Sequence, residues 1–257
     1  MRIVVCVKPV PDTAATPRID LASKRLVRVA GETILNPFDE FALEAALRLR
    51  DASSADTVTV LALAPDCARE ALRKAFALGV DAVVDLRDEH FEGSDGLMTA
   101  EILAAALRRL EPDLVLCGTE STDGGGGYLP TLIAGLLDLP VMTGLRALSM
   151  EEGRLVGERD IDAVIERLSC DPPLLASIGK AAPPPRYASL KNIMAAKKKE
   201  AQIWSAADLG MTSYTPATEL LRIEAPPARG SGRVVKHDDP KVAAEAILAF
   251  LNERHLL

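Results

Sequence analysis

The stretch TESTDGGGGYLP, residues 119–130, holds the groups best suited to touching a ligand. It follows DLVLCG (113–118), an apolar run that reads as a buried strand, and precedes an apolar helix near 129–138. A loop between a parallel strand and a helix offers free backbone N–H groups and the positive end of the helix dipole, which suits phosphate. Gly124, Gly125, Gly126 and Gly127 let the backbone approach closely and adopt positive φ at no steric cost. Ser121, Thr122 and Asp123 are placed to hydrogen-bond a ribose or a phosphate. A flexible connection that binds nothing remains the other reading. The run is neither a Walker A loop nor a GxGxxG fingerprint, so neither an ATPase nor a dehydrogenase follows from it.

Two further places qualify. In NPFDEFALEAALRLRD (36–51), Asn36 is a good N-cap, Pro37 suits the first helical position, and Asp39 and Glu40 favour the positive end of the dipole. Simple capping accounts for this start unless its N–H groups also lie at the ligand edge of a sheet. Cys6, at the end of the first apolar run, reads as core or as a ligand-contacting position. Cys6, Cys67, Cys117 and Cys170 stand far apart without a CxxC pair, and His90, His237 and His255 form no ligand spacing with them. Reduced thiols are expected, with no metal site and no disulfide. GxSxG, HExxH and a credible Cys–His pair are all missing. Asp160 with Asp162, and Asp238 with Asp239, read as solvated faces. No catalytic residue is assigned, and an autonomous enzyme is not expected.

The surrounding elements must position these groups. Aromatic content is 4% against 48% hydrophobic, so the core of this 257-residue chain is built from aliphatic side chains, the habit of helices packed on a parallel sheet. A net charge of −7 argues against a nucleic-acid binder. No apolar run reaches the ~18 residues of a membrane span, and MRIVVCVKPVPD is too short and β-branched for a signal peptide, so a soluble, cytoplasmic protein is expected. Strand-like runs at 2–8, 56–63, 81–86 and 113–118 alternate with helical patterns at 36–51, 67–79, 99–110 and 129–138, with a small hairpin at 18–30. That order predicts an α/β fold with a doubly wound, mostly parallel sheet. After about residue 145, alternating apolar and polar residues as far as DPPLLASI predict antiparallel strands that extend the sheet. Residues 1–180 are read as one α/β domain, and 181–257 as an extended C-terminal arm ending in an amphipathic helix over 241–253.

The arm reads KAAPPPRYASLKNIMAAKKKEAQIW from Lys180. Leu190, Ile193 and Met194 lie between a proline run and Lys197–Lys199, and apolar residues rimmed by charge suggest a docking point. Folding of the three back onto their own domain is the alternative.

These pieces together resemble the β subunits of electron-transfer flavoproteins, including the nitrogen-fixation-associated branch. The resemblance is carried by VCVKPVPDT, LNPFDEFALEAALRLRD, LALAPDCAREALRKAFALGVDAVVDL and PRYASLKNIMAAKKKE, spread from residue 3 to about 200 in the family's order. It implies an adenine-nucleotide-hydrolase-like, Rossmann-like fold. It further implies a heterodimer whose α subunit carries the redox-active FAD while the β subunit holds a structural AMP. Donors would be acyl-CoA-type or related flavin dehydrogenases, and electrons would leave to a membrane quinone oxidoreductase or another acceptor. Carried over, the AMP contacts fall on Cys6, on Asn36, Pro37, Phe38 and Asp39, near Leu63, and on Glu120, Ser121, Thr122, Asp123, Gly124 to Gly127, Tyr128, Leu129, Pro130 and Thr131. The docking segment spans Ala188, Ser189, Leu190, Lys191, Asn192, Ile193, Met194, Ala195, Ala196 and Lys197, with Leu190 as anchor. The chain departs from the family where a D-D-D-x-N-Q-T-G loop is usual, retaining only Asp123, and at Lys191, Ala163 and Val164. The family also contains a bifurcating branch with a second FAD in place of AMP, which the glycine run neither demands nor excludes. A stand-alone, universal-stress-like nucleotide binder is the reading from another class.

Overall fold

The structure, a computed structural model, describes residues 1–257 apart from 16–17, 53, 213–214, 225–231, 233 and 237. His237 therefore lies outside the described residues. The chain divides into two units, Met1–Arg222 and Ile223–Leu257.

The first unit runs β1 (Arg2–Val7), β2 (Pro9–Pro11), β3 (Ile19–Asp20), β4 (Arg25–Leu26), β5 (Thr33–Leu35), α1 (Pro37–Asp51), β6 (Thr57–Leu63), α2 (Arg69–Leu78) and β7 (Ala82–Leu86). It continues α3 (Gly96–Leu110), β8 (Leu114–Gly118), α4 (Leu129–Leu137), β9 (Val141–Leu145), β10 (Ala147–Glu151), β11 (Arg154–Ile161) and β12 (Val164–Cys170). The last elements are β13 (Leu174–Ile178), α5 (Leu190–Ala196) and β14 (Gln202–Trp204). The second unit holds α6 (Pro240–Glu253), capped by the Asp239 carboxylate, which accepts from the Lys241 amide at 2.9 Å. No helix among the described residues is long and apolar enough to cross a membrane.

The central sheet has seven strands in the order β14-β7-β6-β1-β8-β13-β9, and every neighbouring pair is parallel. Its strands are apolar on both faces because helices cover both. Ile3, Val5 and Val7 of β1 point into the layer with α1 and α2, while Val4 and Cys6 point into the layer with α3 and α4. β8 splits its residues the same way, with Leu114 and Leu116 on one side and Val115 and Cys117 on the other. The chain winds from β1 outward through β6 and β7, then returns to place β8 on the other flank of β1. That reversal opens a crevice at the carboxyl ends of β1 and β8, where open α/β sheets bind ligands.

Three sequence expectations are corrected. The antiparallel strands do not extend the main sheet; β10, β11 and β12 form a three-stranded sheet of their own. Their alternation suits a sheet buried on one face only, and Gly157 lets β11 sit close, since a Cβ there would lie 2.8 Å from Leu145. LLASI, read with those antiparallel strands, is instead β13, parallel and inserted between β8 and β9. All five of its residues are buried, which calls for the continuous apolar run it carries. The arm is not simply extended: residues 190–196 form α5, and residues 202–204 add an edge strand to β7. The Ser189 hydroxyl caps α5 by accepting from the Asn192 amide at 3.2 Å.

Replacing the fully buried Leu116 on β8 by alanine is expected to cost about 2–5 kcal/mol, read as a lowered midpoint in urea unfolding.

Candidate ligand site at the carboxyl edge of the sheet

The crevice is framed by the first turn of α1. Asn36 is fully buried, yet its side chain makes no cap hydrogen bond to the helix. Its amide Nδ2 donates to the Glu120 carbonyl at 2.7 Å, and its Oδ1 accepts from the Thr122 amide at 3.2 Å. The capping expectation for Asn36 is thereby corrected: the side chain spans from α1 to the glycine-rich loop. Its own backbone N–H donates to the Lys8 carbonyl at 2.9 Å, just past β1. Asp39 completes the join, with Oδ2 accepting from the Lys8 amide at 2.7 Å. Burial raises the Asp39 carboxyl to about 7, although bonds from Lys8, Asn36 and Gly118 pull the other way. Gly118 is required where β8 ends, because a Cβ there would lie 2.4 Å from Asp39 Oδ1 and 2.7 Å from the Phe38 carbonyl carbon.

Above this join lies a cavity of ≈ 990 Å³. Its floor includes Cys6 and Cys117, neighbours on β1 and β8. Contact with Cys6, together with burial, pushes the Cys117 thiol well above the ordinary range. On the loop side, the amides of Gly124 and Gly125 are satisfied by Ser121, at 3.2 Å through its hydroxyl and 2.8 Å through its carbonyl. The amides of Gly126, Gly127 and Tyr128 make no hydrogen bond among the described residues, and all three residues line the cavity. Gly125 and Gly127 take φ of 57° and 64°, so the run needs glycine at these two places. Asp123 points inward, its carboxylate only 6% exposed, held by Lys8 Nζ at 2.6 Å and Arg28 at 2.5 Å. Burial opposes ionisation of Asp123, but Lys8, Ser121 and Arg28 outweigh it and keep the carboxyl below its ordinary range.

Of the expected contacts, Cys6, Asn36, Asp39, Leu63, Glu120, Ser121, Gly124, Gly126, Gly127, Tyr128, Leu129 and Pro130 line this cavity. Pro37 and Phe38, half-buried in the first turn of α1, and the exposed Thr122, Gly125 and Thr131 are not part of its lining. Asp123 spends both oxygens on Lys8 and Arg28 and so braces the loop from within. Sequence reading missed Lys8, Arg28, Arg25, Cys67 and Arg87, all on the cavity wall. Lys8 carried a usable signal, since it directly follows the strand that ends at the crevice. Arg25 and Arg28 carried none, because the fold alone brings the β3–β4 hairpin over this edge. No group of three or more His, Cys, Asp or Glu among the described residues is arranged to hold a metal. Asp160 pairs with Arg146 at 2.8 Å, in keeping with a surface role.

In the arm, Leu190 is 83% exposed, Met194 62% and Ile193 39%, although α5 itself packs against α2 of the same unit. Ala188 packs at the core's margin and Ala196 is buried, while Lys191, Ala195 and Lys197 are exposed.

The fold and this edge define an α/β protein with a ligand crevice at the switch point of a parallel sheet. A family model described as the electron transfer flavoprotein domain matches residues 25–209. The chain is 41% identical to the electron transfer flavoprotein subunit beta of Mycobacterium tuberculosis, over 82% of this chain and 81% of that one. It is 34% identical to the subunit beta of Thermoanaerobacterium thermosaccharolyticum, and 32% to the caffeyl-CoA reductase-Etf complex subunit CarD of Acetobacterium woodii, each over the full length of both chains. The chain belongs to the β-subunit family of electron-transfer flavoproteins.

The raised Asp39 carboxyl has a testable consequence. It binds its proton more tightly folded than unfolded, so its contribution to stability is greatest below the unfolded value near 4 and is lost as pH rises toward about 7. Stability is expected to fall across that window by up to ~1.4 kcal/mol per pH unit from this group, and Asp39→Asn should flatten that part of the profile in urea unfolding at stepped pH.

Proposed function

We propose that this chain is the β subunit of a heterodimeric electron-transfer flavoprotein, holding a structural AMP in the crevice. The observation that carries the reading is the row of unpaired amides at Gly126, Gly127 and Tyr128 on the cavity wall where α4 begins. Successive N–H groups at a helix start suit a phosphate. They replace the side-chain donors that the family's usual loop supplies. The glycines leave room for that approach, and Cys6, Leu63 and the Asn36–Asp39 turn offer an apolar and backbone-lined slot for the base.

Charge favours one phosphate over three. Lys8 and Arg28 share the single Asp123 carboxylate and Arg87 meets Asp85, which leaves Arg25 as the wall cation without an ion pair among the described residues, while Asp88, Glu89, Glu92, Asp95 and Glu120 add negative charge nearby. A triphosphate would meet little uncompensated positive charge, which counts against an ATP-binding, universal-stress-like role.

The electron chemistry belongs to the FAD of the α subunit when that flavin is bound. This chain contributes no catalytic residue; it binds, orients and docks. Exposed Leu190, Ile193 and Met194 of α5 meet acyl-CoA-type or related flavin dehydrogenases, and a membrane quinone oxidoreductase or another acceptor takes the electrons on. The cytoplasm is the expected setting.

One observation favours a second reading. At ≈ 990 Å³ the cavity sits near the top of the ~300–1,000 Å³ range of ligand pockets, so an FAD in this subunit, as in a bifurcating complex, is the alternative. Denaturing the purified heterodimer and separating the released nucleotides is expected to yield AMP with one flavin per heterodimer. Two flavins without AMP would carry the second reading, and ATP from a homodimer the stress-type one.

A further inference from the structure

The docking segment is held at both of its ends. On α1, Glu44 is 4% exposed, and Arg186 is its main partner. The Arg186 amide donates to Glu44 Oε2 at 3.1 Å, Nε to the same oxygen at 2.7 Å, and Nη2 to Oε1 at 3.2 Å. Nη1 lies 2.8 Å from Asp51, two turns further along α1, and Arg48 adds a contact to Glu44 at 2.8 Å. Burial alone would push the Glu44 carboxyl up; Arg186 and Arg48 overcome that and hold it below its ordinary range. At the far end, Lys199 Nζ donates to the Val80 carbonyl at 3.0 Å and stands 5.3 Å from the centroid of the Phe76 ring.

A buried carboxylate is costly unless a cation meets it with good geometry. Here that cation comes from the residue just before Tyr187, which is 99% exposed, and four before Leu190. Movement of the arm away from α1 would strip Glu44 of its three bonds from Arg186 and leave it with Arg48 alone, and that loss penalises the movement. A carrier that presents one short helix to a partner binds better when that helix is ordered beforehand, because less ordering is then charged to the encounter.

We propose that the Arg186–Glu44 ion pair is the positioning device of the docking helix, fixing where Leu190 stands when a flavin dehydrogenase binds. This rests on the docking role proposed above for α5. Arg186 is a positioning residue and touches neither cofactor nor donor.

The test uses the intact heterodimer as the electron acceptor of an acyl-CoA dehydrogenase from the same organism, with its acyl-CoA as reductant. Arg186→Ala, and the paired replacement Glu44→Met with Arg186→Met that avoids an orphaned carboxylate, are compared with Leu190→Ala. The expected result is a KM for the heterodimer raised on the order of tenfold in all three, with kcat and flavin content unchanged. A raised KM in Leu190→Ala alone would overturn the positioning role while leaving the docking role intact. Unchanged KM in all three would remove the docking role and this inference with it. Lost flavin or a lowered kcat at constant KM in the Arg186 variants would show that the pair supports the body of the subunit instead.

Discussion

The site depends on one join. Two buried polar side chains at the start of α1, Asn36 just before it and Asp39 in its first turn, reach across to the backbone at the ends of β1 and β8. Asp39 holds the amide of Lys8, and Asn36 holds both the carbonyl of Glu120 and the amide of Thr122. Each bond replaces one that the crevice would otherwise leave unmade in a buried place, where a lost partner costs ~1–3 kcal/mol. The join satisfies the loop's early backbone, while the later amides, at Gly126 to Tyr128, make no hydrogen bond among the described residues and belong to residues that line the cavity. Asp123 works from the opposite side, where Lys8 and Arg28 fix the loop without using those amides.

Helix α1 thereby serves two places at once. Its first turn builds the floor of the crevice through Asp39, and its later turns anchor the arm through Glu44 and Asp51. Between them, Ala42, Leu43, Ala46 and Leu47 bury the helix against the sheet, so both polar ends are carried by one rigid element. The two functions proposed for the chain, holding a nucleotide and meeting a donor, share that scaffold.

Much of this was legible from residues alone. The βα alternation, the helix from Pro37 and the switch-point loop at 119–130 follow from period and turn chemistry, since parallel strands under helices must be apolar on both faces. Asn36 was noticed for the wrong reason: its type fits a cap, but its destination is a loop 84 residues away, and local pattern carries no information about so distant a partner. The pairings of Lys8 and Arg28 with Asp123, and of Arg186 with Glu44, are invisible for the same reason. LLASI follows antiparallel-looking neighbours, but its own unbroken apolar run is the mark of a central parallel strand buried on both faces. The family likeness reached further than the residue chemistry, to partner and cofactor. The altered loop at Gly124–Gly127 is where that likeness is thinnest and the geometry has most to add.

The most direct measurement is a crystal structure of the heterodimer purified without added nucleotide. An adenine mononucleotide is expected at the carboxyl ends of β1 and β8, its phosphate within hydrogen-bond distance of the Gly126, Gly127 and Tyr128 amides. An isoalloxazine ring in that crevice, or a phosphate bound elsewhere on the subunit, would contradict it.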